Sequence, residues 1–470
     1  MDVTFGTDGW RTTVDEFTTP RVRAVGQAVA TYLREEQNGG ADDRDGEAGT
    51  TTDFAVAIGY DPRKTSKPAA KELARVLCVN GIDVVFAARD TPTPAVAWGV
   101  TERDLAGALQ VTASHNPPEY NGIKFIPGDG APATADVTDR LAGYLAPPDP
   151  LPESKWGRVR ETDFVEPYLD HALAFVDADL AGITVAYDAM HGSGRGVTDA
   201  LLGRAGADVV RLRGADDPTF GGTPPEPSAE RLGELIKTVA AGSTDIGIAN
   251  DGDADRIAVV TPARGYVHPN YLYVLLYDFL LDTDEGDAVR TVSTTFLVDR
   301  VAEAHGQLAH ETAVGFKHVA RAMAEHDALF GGEESGGFGV RGHLRNKDGV
   351  LVALLAVAAH ADEPLDDRLD RLEATYGAVV GDRIGVDCAD DRKAAVLDAL
   401  EAEIPDAVAG AAVEHVSTVD GFKLLLDDGS WLLVRPSGTE PKLRVYAEAE
   451  SEPRVSELLA EGRTLVKSVM

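Results

Sequence analysis

The chain has 470 residues, a formal net charge of −34 and 44% hydrophobic residues. This length predicts about three or four domains, and the apolar fraction is enough for several packed cores. The strong negative charge argues against nucleic acid and anionic membranes as partners, because their phosphate groups would repel the chain. An acidic surface whose basic residues are mostly arginine also suits a halophilic cytoplasm, where salt screens the self-repulsion.

The N-terminal residues, the apolar runs and the two cysteines indicate a cytoplasmic protein. The N-terminus has no basic start and no apolar segment, so no signal peptide is expected. The longest apolar run, residues 350–359, is shorter than the ~20 residues that a bilayer crossing needs. Cys78 and Cys388 lie in apolar surroundings far apart in sequence, which indicates core thiols in a reducing compartment.

Strand-like and helix-like segments alternate in the first part of the chain. The pattern predicts a strand at residues 54–60, a helix at 68–80 ended by a glycine, and a strand at 82–86, which is the order of right-handed βαβ units. Residues 38–53 are acidic, glycine-rich and aperiodic, so a surface loop is expected there. The proline-rich residues 146–152 form the clearest linker.

The later part of the chain changes from α/β to α+β character. Further α/β strands are predicted at 183–187, 207–210, 245–249 and 257–260, and a third unit is predicted from 289 to 330. The last hundred residues predict an antiparallel sheet with two helices: a helix at 392–404, strands at 422–426, 431–434 and 442–449, and a helix at 454–469.

The first chemical motif is a serine at the end of a strand. Ser114 follows an apolar run at residues 105–111 and precedes Asn116-Pro117-Pro118, so we expect it on a sharp loop and presented outward. Neighbours such as His115 can activate a serine as a nucleophile or as the carrier of a transferred group. A serine that only caps a turn is the alternative.

The second motif is an acidic turn between two apolar segments. Asp251, Asp253 and Asp255 stand at alternate positions and can converge on one hard cation such as Mg²⁺, Mn²⁺ or Ca²⁺. Three carboxylates leave coordination positions open, as a catalytic metal requires. A calcium EF-hand is excluded because its glycine position holds Arg256. A solvated acidic turn is the alternative.

The third motif is a glycine-rich loop at residues 331–337. Two carboxylates and a hydroxyl on this loop, from Glu333, Glu334 and Ser335, can exchange hydrogen bonds with a polyhydroxyl ligand. The loop has no Walker-type lysine, so it is not a nucleotide P-loop, and a surface turn is the alternative. Three basic residues follow: His343, Arg345 and Lys347.

The fourth motif is the loop after the strand at 431–434. It combines a guanidinium, two hydroxyls and the N–H groups of a glycine turn, which can form a phosphate nest: Arg435, Ser437, Gly438 and Thr439. A simple turn is the alternative. Another glycine turn, residues 191–196, has GxGxG spacing where a dinucleotide site needs GxGxxG, so we interpret it as a helix–strand packing turn.

Together, the four motifs resemble those of the α-D-phosphohexomutase superfamily, the phosphoglucomutases and phosphomannomutases. The resemblance covers nearly the whole chain, and the motifs occur in the family's order. The implied fold class is α/β: three similar mixed α/β domains and a C-terminal α+β domain like the TATA-box-binding protein, heart-shaped around a central cleft. The implied domains, which carry the serine, metal, sugar and phosphate loops, are residues 1–146, 153–261, 262–372 and 373–470.

The resemblance also implies roles for individual residues. Ser114 is similar to the phosphoserine that donates and retakes a phosphoryl group, and its phosphate would complete a Mg²⁺ site with Asp251, Asp253 and Asp255. The reacting end would be lined by Arg11, His115, Lys124 and Arg256. The sugar would be held by Glu333 and Ser335, near a discriminating loop with Lys317 and His318. The remote phosphate would be anchored by Arg435, Ser437, Gly438 and Thr439.

One position departs from part of the family. The sugar loop of some bacterial dual-specificity members ends in histidine, whereas this chain has Gly337. Lys124 and Lys347 are therefore the candidates for the general acid/base, Lys347 by resemblance to a Lys-Asp-Gly segment of phosphoglucomutases. The Glu-Glu-Ser form of the loop favours glucose over glucosamine.

The implied function is the interconversion of hexose 1-phosphate and hexose 6-phosphate, with glucose or mannose as the sugar. It would require Mg²⁺ and a bound hexose 1,6-bisphosphate as intermediate and activator. A phosphoglucosamine mutase is the nearest alternative, and a Ser-nucleophile metallophosphatase and a non-catalytic sugar-phosphate sensor are more remote. The expected partners are sugar phosphates, and the expected state is a monomer or homodimer.

Overall fold

The chain folds into two compact units, as seen in a computed structural model that describes residues 3–6, 9–39, 54–438 and 440–470. The first unit consists of Met1–His268 and Ser335–Asp366, and the second of Pro269–Glu334 and Asp367–Met470. Of the predicted loop at 38–53, the first two residues end a helix and residues 40–53 lie outside the described residues. None of the helices in the described ranges combines the length and the apolar character that a bilayer crossing requires.

The first sheet has a parallel centre with antiparallel strands on one side. Its strands are β1 (Phe5–Gly6), β2 (Gly9–Thr13), β3 (Ala55–Tyr60), β4 (Asp83–Ala87), β5 (Gly107–Val111), β6 (Tyr120–Pro127) and β7 (Val159–Thr162). Their order is β1-β2-β6-β5-β3-β4-β7, with β5, β3 and β4 parallel and β6 antiparallel to β5. The accompanying helices are α1 (Thr19–Gly39), α2 (Ser66–Val79), α3 (Thr93–Glu102) and α4 (Ala135–Gly143). The predicted strands and helix of this region are confirmed.

The linker prediction bears on where the first domain ends. Residues 146–152 contain neither helix nor strand. However, β7 lies beyond them in sequence and pairs in parallel with β4. The first sheet therefore continues past the linker, and the boundary at residue 146 stays a prediction.

The second sheet also combines parallel and antiparallel strands. Its strands are β8 (Thr184–Asp188), β9 (Asp208–Leu212), β10 (Ile246–Asn250), β11 (Ile257–Thr261) and β12 (Gly265–Val267), in the order β12-β11-β10-β8-β9. The helices of this region are α5 (Val165–Val176), α6 (Thr198–Arg204) and α7 (Gly233–Ala240). The predicted packing turn at 191–196 supports the acidic loop, because the Ser193 N–H donates to the Gly252 carbonyl oxygen at 3.0 Å.

The third region joins parallel strands to long helices. The strands β13 (Ala288–Thr291), β14 (Ala309–Thr312) and β15 (Phe330–Gly332) are parallel, with β13 in the centre, and β16 (Phe338–Val340) follows in sequence. The helices are α8 (Pro269–Leu281), α9 (Leu297–Ala304), α10 (Phe316–His326), α11 (Gly349–Asp362) and α12 (Leu365–Tyr376). The helix α11 contains the longest apolar run, and it is buried against β10 and β11.

The C-terminal region is an antiparallel sheet with helices, as the sequence predicts. Its strands are β17 (Val380–Asp387), β18 (Ala407–Val408), β19 (Ala411–Ser417), β20 (Phe422–Leu426), β21 (Trp431–Pro436) and β22 (Lys442–Ala449), in the order β17-β22-β21-β20-β19-β18. The helices are α13 (Lys393–Ala402) and α14 (Glu452–Ser468). Three mixed α/β regions and this α+β region together confirm the predicted fold class.

The motif loops occupy equivalent places in these sheets. The serine loop (residues 112–119) connects β5 to β6, the acidic loop (251–256) connects β10 to β11, and the phosphate loop (437–441) connects β21 to β22. Each of these loops joins a strand to an antiparallel neighbour. The sugar loop (333–337) begins where β15 ends. Each motif therefore starts at the carboxyl end of a strand, where side chains project beyond the sheet.

Candidate active site

Ser114 lies in the serine loop and is buried, with 1% of its surface exposed. Its φ of 52° is in the left-handed region, which is uncommon for a residue with a side chain. The Ser114 N–H donates to the Thr112 hydroxyl at 2.8 Å, and the Ser114 Oγ donates to Asp251 Oδ2 at 2.7 Å. The expected sharp turn is confirmed. The expected outward presentation is wrong, because the hydroxyl is turned into a contact with the acidic loop.

A buried arginine that the sequence analysis missed holds the serine loop. Arg63, just after β3, donates from its guanidinium to four carbonyl oxygens in and beside the loop: Pro117 (2.6 Å), Tyr120 (3.0 Å), Ser114 (2.8 Å) and Asn116 (2.6 Å). Asp61 accepts from Arg63 Nε at 3.0 Å and from the Ser66 and Thr112 hydroxyls at 2.6 and 2.7 Å. Because the planar guanidinium has fixed donor directions, Arg63 sets the backbone shape around Ser114.

The acidic loop brings three carboxylates to one point. Asp251, Asp253 and Asp255, which we call the acidic triad, are buried, and each offers an oxygen within 4.8 Å of the others. Asp251 Oδ1 accepts the N–H groups of Asp255 at 3.0 Å and of Arg256 at 3.2 Å, which fixes its orientation. The alternative of a solvated acidic turn is wrong, because the carboxylates are removed from water.

Two buried lysines from different segments face the acidic triad. Lys124 on β6 places its Nζ 2.7 Å from Asp253 Oδ2 and 2.9 Å from Asp255 Oδ2. Lys347, between β16 and α11, places its Nζ 3.3 Å from Asp255 Oδ2. Burial opposes the ionisation of Asp255, but the charges of Lys124, Lys347 and Arg256 outweigh it and lower the pKa of Asp255. Both acid/base candidates from the sequence therefore meet at this carboxylate.

The donor set of the acidic triad fits a divalent cation. Within the described part of the chain, the buried Oδ1 atoms of Asp253 and Asp255 have no hydrogen-bond partner. Burial and the neighbouring charges of Asp253 and Asp255 raise the pKa of Asp251 well above its ordinary value. Buried carboxylate oxygens without a partner are costly, and a hard cation such as Mg²⁺ prefers oxygen ligands. The acidic triad could hold such an ion beside the Ser114 Oγ and leave positions open for substrate.

Positively charged side chains surround His115, the residue next to Ser114. Its Nδ1 lies 3.4 Å from the Ser114 Oγ. Arg256, burial and Arg11 lower the pKa of His115 well below its ordinary value, so the imidazole is neutral at pH 7. Arg11, on β2, also donates to Asn116 Oδ1 at 3.4 Å. Cationic groups gathered around a serine hydroxyl are suited to binding a phosphoryl group.

The residue that departs from part of the family, Gly337, makes room for Lys347. A Cβ built on Gly337 would lie 2.4 Å from Lys347 Cδ and 3.0 Å from its Cγ. The aliphatic stem of Lys347 therefore occupies the space that a side chain at position 337 would need. The next residue, Asp348, accepts the N–H groups of Val350 and Leu351 and caps α11. That cap fixes the backbone immediately beyond Lys347.

The sugar loop carries a buried carboxylate. Glu333 is buried, and its Oε1 accepts the Gly315 N–H at 3.0 Å. Glu334 Oε2 accepts the Thr291 hydroxyl at 3.2 Å. Ser335 is half-buried and belongs to the first unit. A surface turn would leave Glu333 in water, so that alternative is wrong for this residue.

Lys317 and His318 lie in the first turn of α10. They follow Gly315, whose φ of 121° is a conformation that favours glycine. Lys317 is half-buried and His318 is exposed. Partial desolvation of its ring and the charge of Lys317 lower the pKa of His318, so this imidazole is neutral at pH 7.

The phosphate loop is anchored at both of its ends. Arg435, the buried residue near the end of β21, places its Nε and one Nη 2.9 Å from Asp420 Oδ2. Ser437 Oγ accepts the Glu440 N–H at 3.2 Å. Lys393, which the sequence analysis missed, donates from Nζ to the carbonyl oxygens of Ser437 at 2.6 Å and Glu440 at 2.7 Å. The loop therefore has a second cation that no local motif indicates.

The predicted site residues are distributed over both units. The first unit gathers those of the reacting end: Arg11, Ser114, His115, Lys124, Asp251, Asp253, Asp255, Arg256 and Lys347. The second unit contains Lys317, His318, Glu333, Arg435, Ser437 and Gly438. A Cβ built on Gly438 would meet no atom of the described residues within 4 Å, so space is open there. Thr439 lies outside the described residues.

Models of known protein domains match four successive parts of the chain. They describe the phosphoglucomutase/phosphomannomutase alpha/beta/alpha domain I at residues 2–148, domain II at 166–265, domain III at 268–376 and the C-terminal domain at 384–464. These matches include all four motif loops.

Curated relatives are similar to the chain over nearly its whole length. A protein of Methanopyrus kandleri assigned as a phosphoglucosamine mutase is 33% identical in an alignment that covers 98% of this chain and 97% of the relative. The phosphoglucomutase/phosphomannomutase of Thermococcus kodakarensis is 30% identical in an alignment that covers 100% of this chain and 100% of the relative.

Solved structures share the fold. A Thermus thermophilus protein assigned as a phosphomannomutase superposes with a TM-score of 0.83 at 29% identity over 99% of each chain. The N-acetylphosphoglucosamine mutase of Aspergillus fumigatus, solved with GlcNAc-6P and magnesium, gives a TM-score of 0.60 at 15% identity over 100% of this chain and 96% of that one. The second likeness concerns the fold alone.

Proposed function

The chain belongs to the phosphoglucomutase/phosphomannomutase family of the α-D-phosphohexomutase superfamily, whose members are intramolecular phosphotransferases, and from that premise we propose that it interconverts hexose 1-phosphate and hexose 6-phosphate. Glucose and mannose are the proposed sugars. The observation that carries the proposal is the buried Ser114 hydroxyl, 2.7 Å from the acidic triad and beside cationic side chains. A phosphoryl group on this hydroxyl would meet metal-binding carboxylates on one side and positive charge on the other.

The charged residues around Ser114 have complementary roles in this proposal. Phosphoryl transfer is governed by positioning and by neutralisation of the equatorial oxygens. Arg11 and Arg256 bind those oxygens, and the neutral His115 contacts the same group without adding charge. Lys124 favours the ionised form of Asp253 and Asp255. When bound to the acidic triad and the Ser114 phosphate, Mg²⁺ supplies further neutralisation of the transferring group.

The proposed reaction has two transfers that balance. In the first, the bond between phosphorus and the Ser114 oxygen breaks and a bond from phosphorus to a free hydroxyl oxygen of the sugar monophosphate forms, while that hydroxyl gives its proton to the general base and the Ser114 oxygen takes up a proton. The product is a bound hexose 1,6-bisphosphate. In the second, the bisphosphate has turned around, the bond between its other phosphorus and the sugar oxygen breaks, that oxygen takes up the proton from the general acid, and the Ser114 hydroxyl gives up its proton as it is phosphorylated again. Isomerisation follows without net loss of phosphate.

We assign the general acid/base role to Lys347 and a charge-balancing role to Lys124. Both ammonium groups lie at the acidic triad: Lys124 Nζ is 2.7 Å from Asp253 Oδ2 and 2.9 Å from Asp255 Oδ2, and Lys347 Nζ is 3.3 Å from Asp255 Oδ2. The assignment to Lys347 follows the resemblance of its Lys-Asp-Gly segment to that of phosphoglucomutases, and a lysine at this place can exchange a proton with a bound substrate. The stem of Lys347 also fills the space above Gly337, which directs its ammonium to the acidic loop.

The other predicted site residues are proposed to bind the rest of the substrate. The phosphate that is not reacting would be anchored by Arg435, Ser437, Gly438 and Thr439. Glu333 and Ser335 would hold sugar hydroxyls, with Lys317 and His318 discriminating between sugars. The buried carboxylate of Glu333 supports this assignment, because the Gly315 N–H orients it.

A phosphoglucosamine mutase is the second candidate. It is favoured by the 33% identity to the Methanopyrus kandleri relative assigned to that activity. The two candidates share the serine chemistry and differ in the group at carbon 2 of the sugar. The difference therefore concerns the sugar loop and not the acidic triad.

Initial-rate assays separate these candidates. The purified enzyme is supplied with Mg²⁺ and a trace of hexose 1,6-bisphosphate, and kcat/KM is measured on the 1-phosphates of glucose, mannose and glucosamine. We expect glucose or mannose to exceed glucosamine by at least about tenfold, because one substrate group changes binding by this order. A preference for glucosamine supports the second candidate. Release of inorganic phosphate without isomerisation contradicts both and indicates a metallophosphatase.

A further inference from the structure

The carboxylate of Asp420 contacts both Arg435, beside the phosphate loop, and the backbone of Val314 in the third α/β region. Its Oδ2 accepts from Arg435 Nε at 2.9 Å, contacts one Arg435 Nη at 2.9 Å, and accepts the Val314 N–H at 3.1 Å. The Asp420 side chain is 17% exposed. Asp420 lies just before β20, 15 residues from Arg435 in sequence, so no local motif connects the two.

The backbone at Val314 links this carboxylate to the sugar loop. Val314 and Gly315 are neighbours, and their N–H groups donate to two different acids, Asp420 at 3.1 Å and Glu333 at 3.0 Å. The Val314 side chain is fixed by packing against a buried cluster: Val292, Trp431, Leu433 and Tyr446. Residues 314–315 therefore connect Asp420, the partner of Arg435, to Glu333 in the sugar loop. We call these two residues the 314–315 bridge.

Close approach of the loop that carries Asp420 to the strand β21 depends on Gly421. Its φ of 85° is in the glycine region, and a Cβ there would lie 2.2 Å from the Val434 carbonyl oxygen and 2.8 Å from Arg435 Cα. The loop that carries Asp420 is thus pressed against β21. Asp420 contacts the edge of the guanidinium formed by Nε and one Nη, and the edge formed by the two Nη groups can bind a phosphate bidentately.

We propose that Asp420 is a positioning residue that orients Arg435 for the non-reacting phosphate of the substrate and couples phosphate binding to Glu333. The proposal rests on the function proposed above for Arg435 and Glu333. Simple electrostatics predicts the opposite effect on binding. A carboxylate beside an arginine weakens its attraction for an anion, so removing the carboxylate would tighten phosphate binding. Positioning predicts weaker binding.

The variant Asp420→Asn keeps the shape of the side chain and removes its charge. We expect KM for glucose 1-phosphate to rise about tenfold while kcat stays within about twofold, because the lost interaction serves ground and transition states alike. The Kd for glucose 1-phosphate, measured by calorimetry, should rise in parallel. Asp420→Glu restores the carboxylate and should recover part of the affinity.

The matched control is Asp428→Asn. Asp428 accepts from Arg454 Nε at 2.9 Å in the same C-terminal region, so this variant breaks an Asp–Arg pair away from the phosphate loop. It should leave KM and Kd at parental values. A comparable rise in the control would assign the effect to general loosening and overturn the proposal.

Coupling to the sugar loop is measured with Glu333→Gln. If Asp420 acts through the 314–315 bridge, its effect and that of Glu333 are coupled. The fold-loss in kcat/KM of the double variant should then be at least about threefold smaller than the product of the fold-losses of Asp420→Asn and Glu333→Gln. Independent effects of the two substitutions, or a KM for Asp420→Asn that is unchanged or lower, overturn the proposal.

The parent enzyme distinguishes failure of this proposal from failure of the proposed function. A parent that binds glucose 1-phosphate without isomerising it contradicts the mutase function, and the Kd of Asp420→Asn still tests the role of Asp420. A parent that does not bind it contradicts both proposals.

Discussion

The serine site of the first unit and the phosphate loop of the second are built in different ways. In the serine site, buried charged side chains form ion pairs: the acidic triad pairs with Lys124 and Lys347. Arg63 fixes the serine loop by hydrogen bonds to its backbone. In the phosphate loop, one arginine is oriented by one carboxylate, and the loop reaches solvent at Gly438. A transition state needs charges that are already in place, whereas an anchor binds ground and transition states alike.

This difference predicts that substitutions in the two regions will affect different kinetic constants. Substitutions in the serine site should lower kcat, and substitutions in the phosphate loop should raise KM. The chain offers a matched residue away from each site, so loss of stability can be separated from loss of function.

The largest effect is expected from Asp253→Asn, which removes a charge and a proposed metal ligand from the acidic triad. We expect kcat to fall by at least about 10³-fold, because neutralisation of the transferring group contributes several kcal/mol. EDTA should abolish the activity of the parent, and added Mg²⁺ should restore the parent but not the variant. Asp245→Asn is the control, since Asp245 lies at the opposite end of β10 from the acidic loop, where it accepts the Thr184 N–H at 2.7 Å. A variant that keeps most of its kcat would remove the acidic triad from the chemistry.

Lys347→Met tests the general acid/base at the same site. We expect kcat to fall by about 10²- to 10³-fold with little change in KM, the usual range for a lost proton-transfer group. Lys237→Met, an exposed lysine on α7, is the control. Lys124→Met should instead lower the melting temperature, because it leaves buried carboxylates without their cation. A larger kcat loss in a stably folded Lys124→Met would transfer the acid/base role to Lys124.

Arg63→Lys asks whether the shape of the serine loop matters as well as its charge. Lysine keeps the charge but cannot reach four carbonyl oxygens, so the loop should relax and kcat should fall by about 10- to 100-fold, as displacements near 1 Å do. Arg75→Lys, in an exposed ion pair on α2, should change neither kcat nor stability measurably. If Arg63→Lys raises KM alone, the serine loop is not preorganised by this arginine.

The smallest effect is expected in the phosphate loop. Arg435→Lys keeps the charge and loses the bidentate fork, so KM should rise about tenfold with kcat within about twofold. Steady-state kinetics on glucose 1-phosphate measures both values. A fall in kcat at constant KM would show that the phosphate loop also contributes to the transition state, and the contrast between the two regions would disappear.

The sequence predicts the elements and motifs of the site well where the information is local. A buried strand followed by small or acidic residues places Ser114 and the acidic triad correctly, because strand ends position side chains within a few residues. The antiparallel strands of the C-terminal region are also predicted, from alternation and turn residues alone. The fold class follows from the alternation of strands and helices, and the family models agree with it.

The parts that sequence reasoning missed depend on distant neighbours. Arg63 is 51 residues from Ser114, and it reaches the serine loop only because β3 lies beside β5 in the sheet. Asp420 and Lys393 likewise act through the fold. The useful signal for Arg63 was the Asp61–Arg63 pair directly after a buried parallel strand. Burial of Ser114 was not predicted either, because it requires the acidic loop, more than a hundred residues later, to cover the serine.

The central claim is that Ser114 carries the transferred phosphoryl group, and intact mass spectrometry with site mapping tests it most directly. We predict one phosphate on Ser114, its loss on brief exposure to excess glucose 1-phosphate, and its return on addition of glucose 1,6-bisphosphate. Ser114→Ala should carry no phosphate at this site and show no mutase activity while retaining the melting temperature of the parent. Parental mutase activity in Ser114→Ala, or turnover by a parent that never carries phosphate on Ser114, would contradict the account.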